Sequence, residues 1–294
     1  TNEWHVISTP MDGLEMGPFA QNNNFDVWTT EEGGDGSFDF APYDEANDEW
    51  GPFDVFPGTT TIIQPGIGYI ARLNSPTEFD FAGNSIFTGT LDLTLNSTNF
   101  GWNAVGNPYT SGISANVLAS PSVLSVNAES LAADFYAVYM WDASINDYYI
   151  INLGGKEQRI PVCQGFLVKA NADGVPFQFT NGMQAHSNTT NIKSAEIPPS
   201  EIKLFVQAGD HRNSTRINFL EASSLGFEKG YDVGKLKGND HIALYSRIVD
   251  NSRKIDLGVQ SLPDVSYSTL SIPIGLDLPA GGETVFSLET VGFP

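Results

Sequence analysis

One pattern is written twice in this chain, and that constrains the fold more than any other feature. Trp4-His5-Val6-Ile7-Ser8-Thr9-Pro10 returns 98 residues later as Trp102-Asn103-Ala104-Val105-Gly106-Asn107-Pro108. Tyr43-Asp44 and Trp50 return, again after 98 residues, as Trp141-Asp142 and Tyr148. Pro65-Gly66-Ile67-Gly68-Tyr69-Ile70-Ala71-Arg72 faces Val162-Cys163-Gln164-Gly165-Phe166-Leu167-Val168-Lys169 at an offset of 97, and Phe79-Asp80-Phe81 faces Phe177-Gln178-Phe179 at 98. Four blocks in one order at nearly constant spacing predict two homologous units, residues 1–98 and 99–195.

Each block reads as β structure. The Trp-led block alternates apolar and polar positions and ends at a proline, which cannot donate to a ladder. Aromatic-Asp, a polar turn and a second aromatic make a hairpin. There Asp44 and Asp142 recur at equivalent places, which points to hydrogen bonding of the turn backbone. The glycines that open Gly68-Tyr69-Ile70 and Gly165-Phe166-Leu167 predict a bulge or a close backbone approach. Two stretches differ in character between the copies: the acidic, glycine-rich segment 31–39 and the Ala/Ser/Leu/Val-rich segment 111–133. A short helix is expected near Ala128–Ala133.

Beyond a polar linker at Ser187–Ser200, short alternating runs recur at Ile202–Val206, Arg216–Leu220, His241–Tyr245, Leu270–Ile274 and Val285–Leu288. They predict a third β-rich domain at 196–294. The expected fold is therefore all-β: two tandem homologous β-sandwich or barrel-like repeats, then a third β-sandwich. Frequent glycine (29) and proline (17) fit many short elements joined by turns.

Charge narrows the choice of partners. The formal net charge is −21. Residues 1–100 hold 16 Asp or Glu against one cation, Arg72. Such a surface repels phosphate backbones, which argues against nucleic acid, and it lacks the basic face that anionic lipid attracts. No apolar run of membrane-spanning length exists, so no direct membrane insertion is expected. The chain starts at Thr1 and reads to Pro294 without a closing feature. Other domains of a larger parent chain are expected around it.

Known catalytic patterns are missing. His5, His186, His211 and His241 are dispersed, and no zinc spacing or nucleophile elbow is present. The single cysteine, Cys163, sits in a strand-like run and reads as a small buried thiol. Calcium is the cofactor to consider. Asp35 and Asp39 bracket a glycine turn, with Asp44 and Asp48 nearby, although the EF-hand pattern is absent. For carbohydrate, the candidates are Trp28, Tyr43, Trp50, Trp141, Tyr148 and Tyr149, aromatics with polar neighbours that could stack on a sugar face. The bland alternative for each is packing.

The chain resembles a region found in many large secreted and surface proteins of Bacteroidota, chiefly flavobacteria, commonly just upstream of the C-terminal signal for type IX secretion. The residues that carry the resemblance are Trp4–Pro10, Gly101-Trp102-Asn103-Ala104-Val105-Gly106-Asn107-Pro108-Tyr109, Pro65-Gly66-x-Gly68-Tyr69, Gln164–Lys169 and Gly226-Phe227-Glu228-x-Gly230-Tyr231-Asp232. The resemblance implies export to the cell surface or medium and implies no reaction. The expectation is a non-catalytic extracellular module that binds polysaccharide or cell-surface glycan or mediates adhesion. The alternatives are a spacer that supports export or display, and a part of a polysaccharide-degrading enzyme.

Overall fold

The computed structural model describes residues 4–23, 25, 37, 39–53, 61–72, 80–83, 85–143, 145–185, 200–238, 241–264 and 270–292. Strands make up 46% of the structure and helices 7%, so the fold is all-β. The chain divides into two compact units, Thr1–Ala132 with Arg159–His186, and Ala133–Gln158 with Ser187–Pro294. Residues 133–158, which the sequence pattern groups with 99–195, lie in the second unit.

In the first unit a four-stranded sheet runs in the order Trp4–Ile7, Tyr69–Arg72, Phe40–Asp44, Glu49–Trp50. Its core holds Leu14, Met16, Phe19, Phe40, Ile63 and Tyr69, with Phe40 stacked on Tyr69 at 5.0 Å. A helix, Met16–Asn22, buries Met16, Phe19 and Ala20 against this core. Pro18 lies in its first turn, where proline is tolerated because its missing N–H has no helical partner anyway. Asn23 then ties off the helix. Its Nδ2 donates to Phe19 O at 2.8 Å and Asp80 O at 3.0 Å, and its Oδ1 accepts the Asp80 N–H at 2.7 Å.

The same register occurs in two antiparallel pairs of this unit. Trp4 opposes Arg72 and Ile7 opposes Tyr69; Trp102 opposes Lys169 and Val105 opposes Phe166. Each cation lies over its tryptophan ring, Arg72 at 5.1 Å and Lys169 at 5.2 Å. Such a contact contributes about 0.5–1 kcal/mol.

The strand-opening glycines mark close approach. A Cβ on Gly68 would lie 2.8 Å from Val105 O, and one on Gly165 would lie 2.7 Å from Val6 Cγ1 and 2.8 Å from Ile7 O. The backbones meet reciprocally. Ser8 N–H donates to Cys163 O at 2.9 Å, and Gly106 N–H donates to Gly66 O at 2.9 Å. A side chain at either glycine would part these strands.

Two expectations are corrected. Cys163 lies in a turn before its strand, half-buried at φ +61°, where Gly66 has φ +79°. The turn reverses the chain, so this position is left-handed and not extended. Burial pushes the Cys163 thiol up to about 11. The helix of the 111–133 segment is Val123–Val126, capped by Ser122, whose side chain accepts the Ser125 N–H at 3.1 Å. Ala128–Ser130 form turns, and a single 3-10 turn, Ala133–Phe135, begins where the expected helix would end. The serine cap starts the helix earlier than alanine content suggests.

In the second unit one sheet holds seven strands. Its order is Ile274–Asp277, Ala243–Ser246, Leu257–Pro263, His211–Leu220, Ser200–Ala208, Val285–Val291, with Val233–Gly234 also on Leu257–Pro263. The central strand Leu257–Pro263 is buried at every residue, and the sequence does not announce it. Gly258, Gln260 and Ser261 break any apolar alternation, but Ser261 Oγ donates to Tyr231 O at 3.0 Å and Gln260 Nε2 to Arg247 O at 3.1 Å. Of the run expected at 270–274 only Ile274 is in a strand, since Pro273 has no N–H for the ladder.

The Gly226–Asp232 motif packs here. The Asp232 carboxylate is fully buried and accepts the N–H groups of Glu228 at 2.7 Å and Ser261 at 2.8 Å. Burial pushes its carboxyl up, the two N–H donors pull it down, and the Glu228 charge raises it again, to about 7. Above the ordinary value of 3.8 the unfolded chain has lost this proton while the folded chain keeps it. Stability is therefore expected to fall as pH rises towards 7, by up to about 1.4 kcal/mol per pH unit. Asp232→Asn removes the titration, so thermal melts across this range should show a flatter profile for the variant. A slope identical to that of the native chain counts against a shifted Asp232.

Candidate functional site

The site grows from a hairpin and a linker of the first unit. In the hairpin Tyr43 opposes Trp50 and Asp44 opposes Glu49. Asp44 holds the turn as its position suggests: Oδ1 accepts the Ala46 N–H at 2.9 Å and Oδ2 accepts Asn47 Nδ2 at 2.8 Å. Asp48 takes the left-handed turn position, φ +57°, and accepts the Tyr43 hydroxyl. Aspartate tolerates that conformation better than most residues.

Between Leu91–Leu95 and Trp102–Gly106 the chain crosses the boundary expected from the sequence at 98/99. Here Glu45 is the organising residue. Its Oε1 accepts the N–H groups of Asn99 at 3.0 Å, Phe100 at 2.7 Å and Gly101 at 2.6 Å, and Oε2 accepts that of Thr98 at 3.2 Å. Asp173 takes the preceding N–H, that of Ser97, at 3.0 Å. Burial pushes the Glu45 carboxyl up, but the four backbone donors together outweigh this and hold it below its ordinary value. Asn103 closes the other side, accepting the Asn96 N–H at 2.9 Å and donating to Asn96 O at 2.8 Å.

Hairpin and crossing loop enclose an open cleft of about 410 Å³. Tyr43, Asp44, Pro52, Thr94, Asn96 and Thr98 form its accessible wall, and Trp102, buried, lies at its floor. The volume is at the low end of the roughly 300–1,000 Å³ typical of small-ligand sites. A half-exposed aromatic beside a carboxylate, an amide and a hydroxyl can take the apolar face and the hydroxyls of a small polyol.

The expected site residues separate. Tyr43 and Asp44 line the cleft, whereas Trp50 packs edge-on against Tyr43 at 5.2 Å. Trp141 and Tyr148 form the matching cross-strand pair at 5.1 Å in the second unit. Tyr149 accepts Gln158 Nε2 at 2.8 Å, and the Arg216 guanidinium lies 5.6 Å from its ring centre. Trp28 and Asp35 lie outside the described residues. Asp39 pairs with Arg72 Nε at 2.7 Å, and Asp44 and Asp48 serve the hairpin turn. Among the described residues no group of three or more His, Cys, Asp or Glu side chains is placed to share a metal ion. Sequence reasoning passed over Glu45, Asn96 and Thr98. The signal for Glu45 was a departure from the repeat, since its counterpart is Ala143.

Comparison with known proteins gives a family and no activity. No curated protein and no solved structure matches the chain. With residues 2–292 matched, the chain belongs to the family described as a domain of unknown function (DUF8693).

Proposed function

We propose that this chain is a non-catalytic extracellular module of a type IX-secreted surface protein, built on two homologous repeats, that binds glycan in the cleft beside Tyr43. The observation that carries the reading is the open cleft, with the aromatic side chain of Tyr43 and the polar ones of Asp44, Thr94, Asn96 and Thr98 on its wall. The shared register of the Trp4 and Trp102 strands supports the duplication. Affinity electrophoresis in gels cast with different polysaccharides tests the binding. At least one neutral or amine-bearing glycan should retard the native chain. Ala46→Trp, which fills the mouth of the cleft from an exposed turn position, should abolish retardation without lowering the melting temperature. Retardation unchanged by Ala46→Trp would sink this site.

A second reading is favoured by the crossing loop. Five consecutive backbone N–H groups, from Ser97 to Gly101, are held by Asp173 and Glu45. A joint tied this firmly suits a stiff spacer for export or display. If no glycan retards the native chain, the spacer reading stands and the binding reading fails.

A further inference from the structure

The proposed glycan site has a charge character that selects among glycans, and this inference rests on that reading. Two carboxylates line the cleft, Asp44 and Glu45, and no Lys, Arg or His is among the described residues that line it. The two are not equivalent. Glu45 is buried and its charge is met by four backbone N–H groups. Asp44 is half-exposed, and each of its oxygens accepts one hydrogen bond from within the turn, from Ala46 N–H or Asn47 Nδ2. A carboxylate oxygen has two lone-pair sites, so each retains one that can face the cleft.

The surroundings do not neutralise this charge. Asp48 and Glu49 follow in the same hairpin, and Asp173 lies along the crossing loop. Arg72, the one cation of residues 1–100, is held by Asp39 and by the Trp4 ring. Lys169, on the strand beside Trp102–Gly106, is held over the Trp102 ring. A cleft lined this way concentrates cations and repels uronic or sulfated chains. A neutral sugar would hydrogen-bond with Asn96 and Thr98 but would leave the Asp44 charge unmatched.

We propose that the cleft takes glycans carrying free ammonium groups, that is, 2-amino-2-deoxyhexose units. The ammonium meets the Asp44 carboxylate while the carbon face of the ring lies against Tyr43 and Pro52. An ammonium offers three donors to the two open oxygen sites.

Binding of the full chain to fully deacetylated chitosan oligosaccharides, to the matching N-acetylated oligosaccharides and to polygalacturonate tests this at mildly acidic pH, where the amines are charged. The deacetylated series should bind about fivefold tighter than the N-acetylated one, the scale of one ion pair at a half-exposed site. High salt should erase that difference. Asp44→Asn keeps an oxygen for the Ala46 N–H and should bring the two series to equal affinity. If that variant does not fold, the salt dependence of the native chain decides. Equal binding of both series by the native chain, or tighter binding of polygalacturonate, overturns the ammonium assignment and leaves the glycan reading standing. Failure to bind any of the three, together with no retardation by the polysaccharide gels, overturns both.

Discussion

Glu45→Ala should lower the free energy of unfolding of the first unit by about 3 kcal/mol. Charge-assisted hydrogen bonds contribute about 1.5–3 kcal/mol each, and the total stays well below four times that because the outer donors regain water. Asn99 and Phe100 are exposed, so their N–H groups can be resolvated, whereas the bond from Gly101 is buried. Glu45→Gln keeps one acceptor oxygen and should lose about half as much. The pH dependence has a definite sign. The folded carboxyl sits below its ordinary value of 4.5, so its contribution is complete above that value and is lost as pH falls through the lower, folded one. Native and Glu45→Gln unfolding curves should therefore differ at neutral pH and converge in acid. Denaturant titration at two pH values measures this, and coincident curves at neutral pH would remove the carboxylate from the account.

The second large effect is expected at Asp147 and Lys235. Lys235 Nζ lies 2.8 Å from Asp147 Oδ2 and 3.2 Å from Oδ1, and also donates to Ser214 O at 3.0 Å. Both side chains are 2% exposed. Asp147→Ala leaves an ammonium in the interior of the second unit without its counter-charge, and should destabilise it by about 3–5 kcal/mol. Replacing both partners, Asp147→Leu with Lys235→Met, removes both desolvation penalties and should recover most of that loss. A double-mutant cycle on the unfolding free energy checks both statements. If the double variant is as unstable as the sum of the singles, the pair is not coupled and this account of it fails.

Both residues show where sequence reading stops. Asp147 corresponds to Glu49 across the repeat, and the two occupy the same hairpin position, opposite Asp142 and Asp44. Hairpin position follows from local pattern: aromatic, Asp, four turn residues, acid, aromatic. Yet Glu49 is exposed and Asp147 is buried against a lysine 88 residues away. The same local signal was read for two sites with unlike surroundings, and nothing near them in sequence distinguishes them.

The candidate cleft divides in the same way. Tyr43 and Asp44 were legible because an aromatic beside an acid in a hairpin is a local pattern. Trp50, Trp141 and Tyr148 carry the same pattern, and each makes a cross-strand ring contact, as Tyr43 does with Trp50, but none of the three lines this cleft. Pattern identifies an aromatic on a hairpin, but which face it presents depends on what packs there. Asn96 and Thr98 were not legible, since they look like any polar loop until Asn103 and Glu45 bond their backbone groups.

The strands themselves were largely readable from the sequence, because period-two alternation and proline stops act over a few residues. So was the need for glycine at Gly68 and Gly165, which recur at one place in the repeat. Only the tertiary structure decided between a bulge and a close approach there, because the atoms that forbid a Cβ belong to strands far away in the chain. It also decided that Leu257–Pro263 is a central strand. That run has too little apolar pattern of its own, and Gln260 Nε2, Ser261 N–H and Ser261 Oγ find their acceptors only when Arg247, Asp232 and Tyr231 arrive. Short-range sterics and alternation therefore specify the elements of this protein, whereas the partners of its buried polar groups and the walls of its cleft come from contacts between residues distant in sequence.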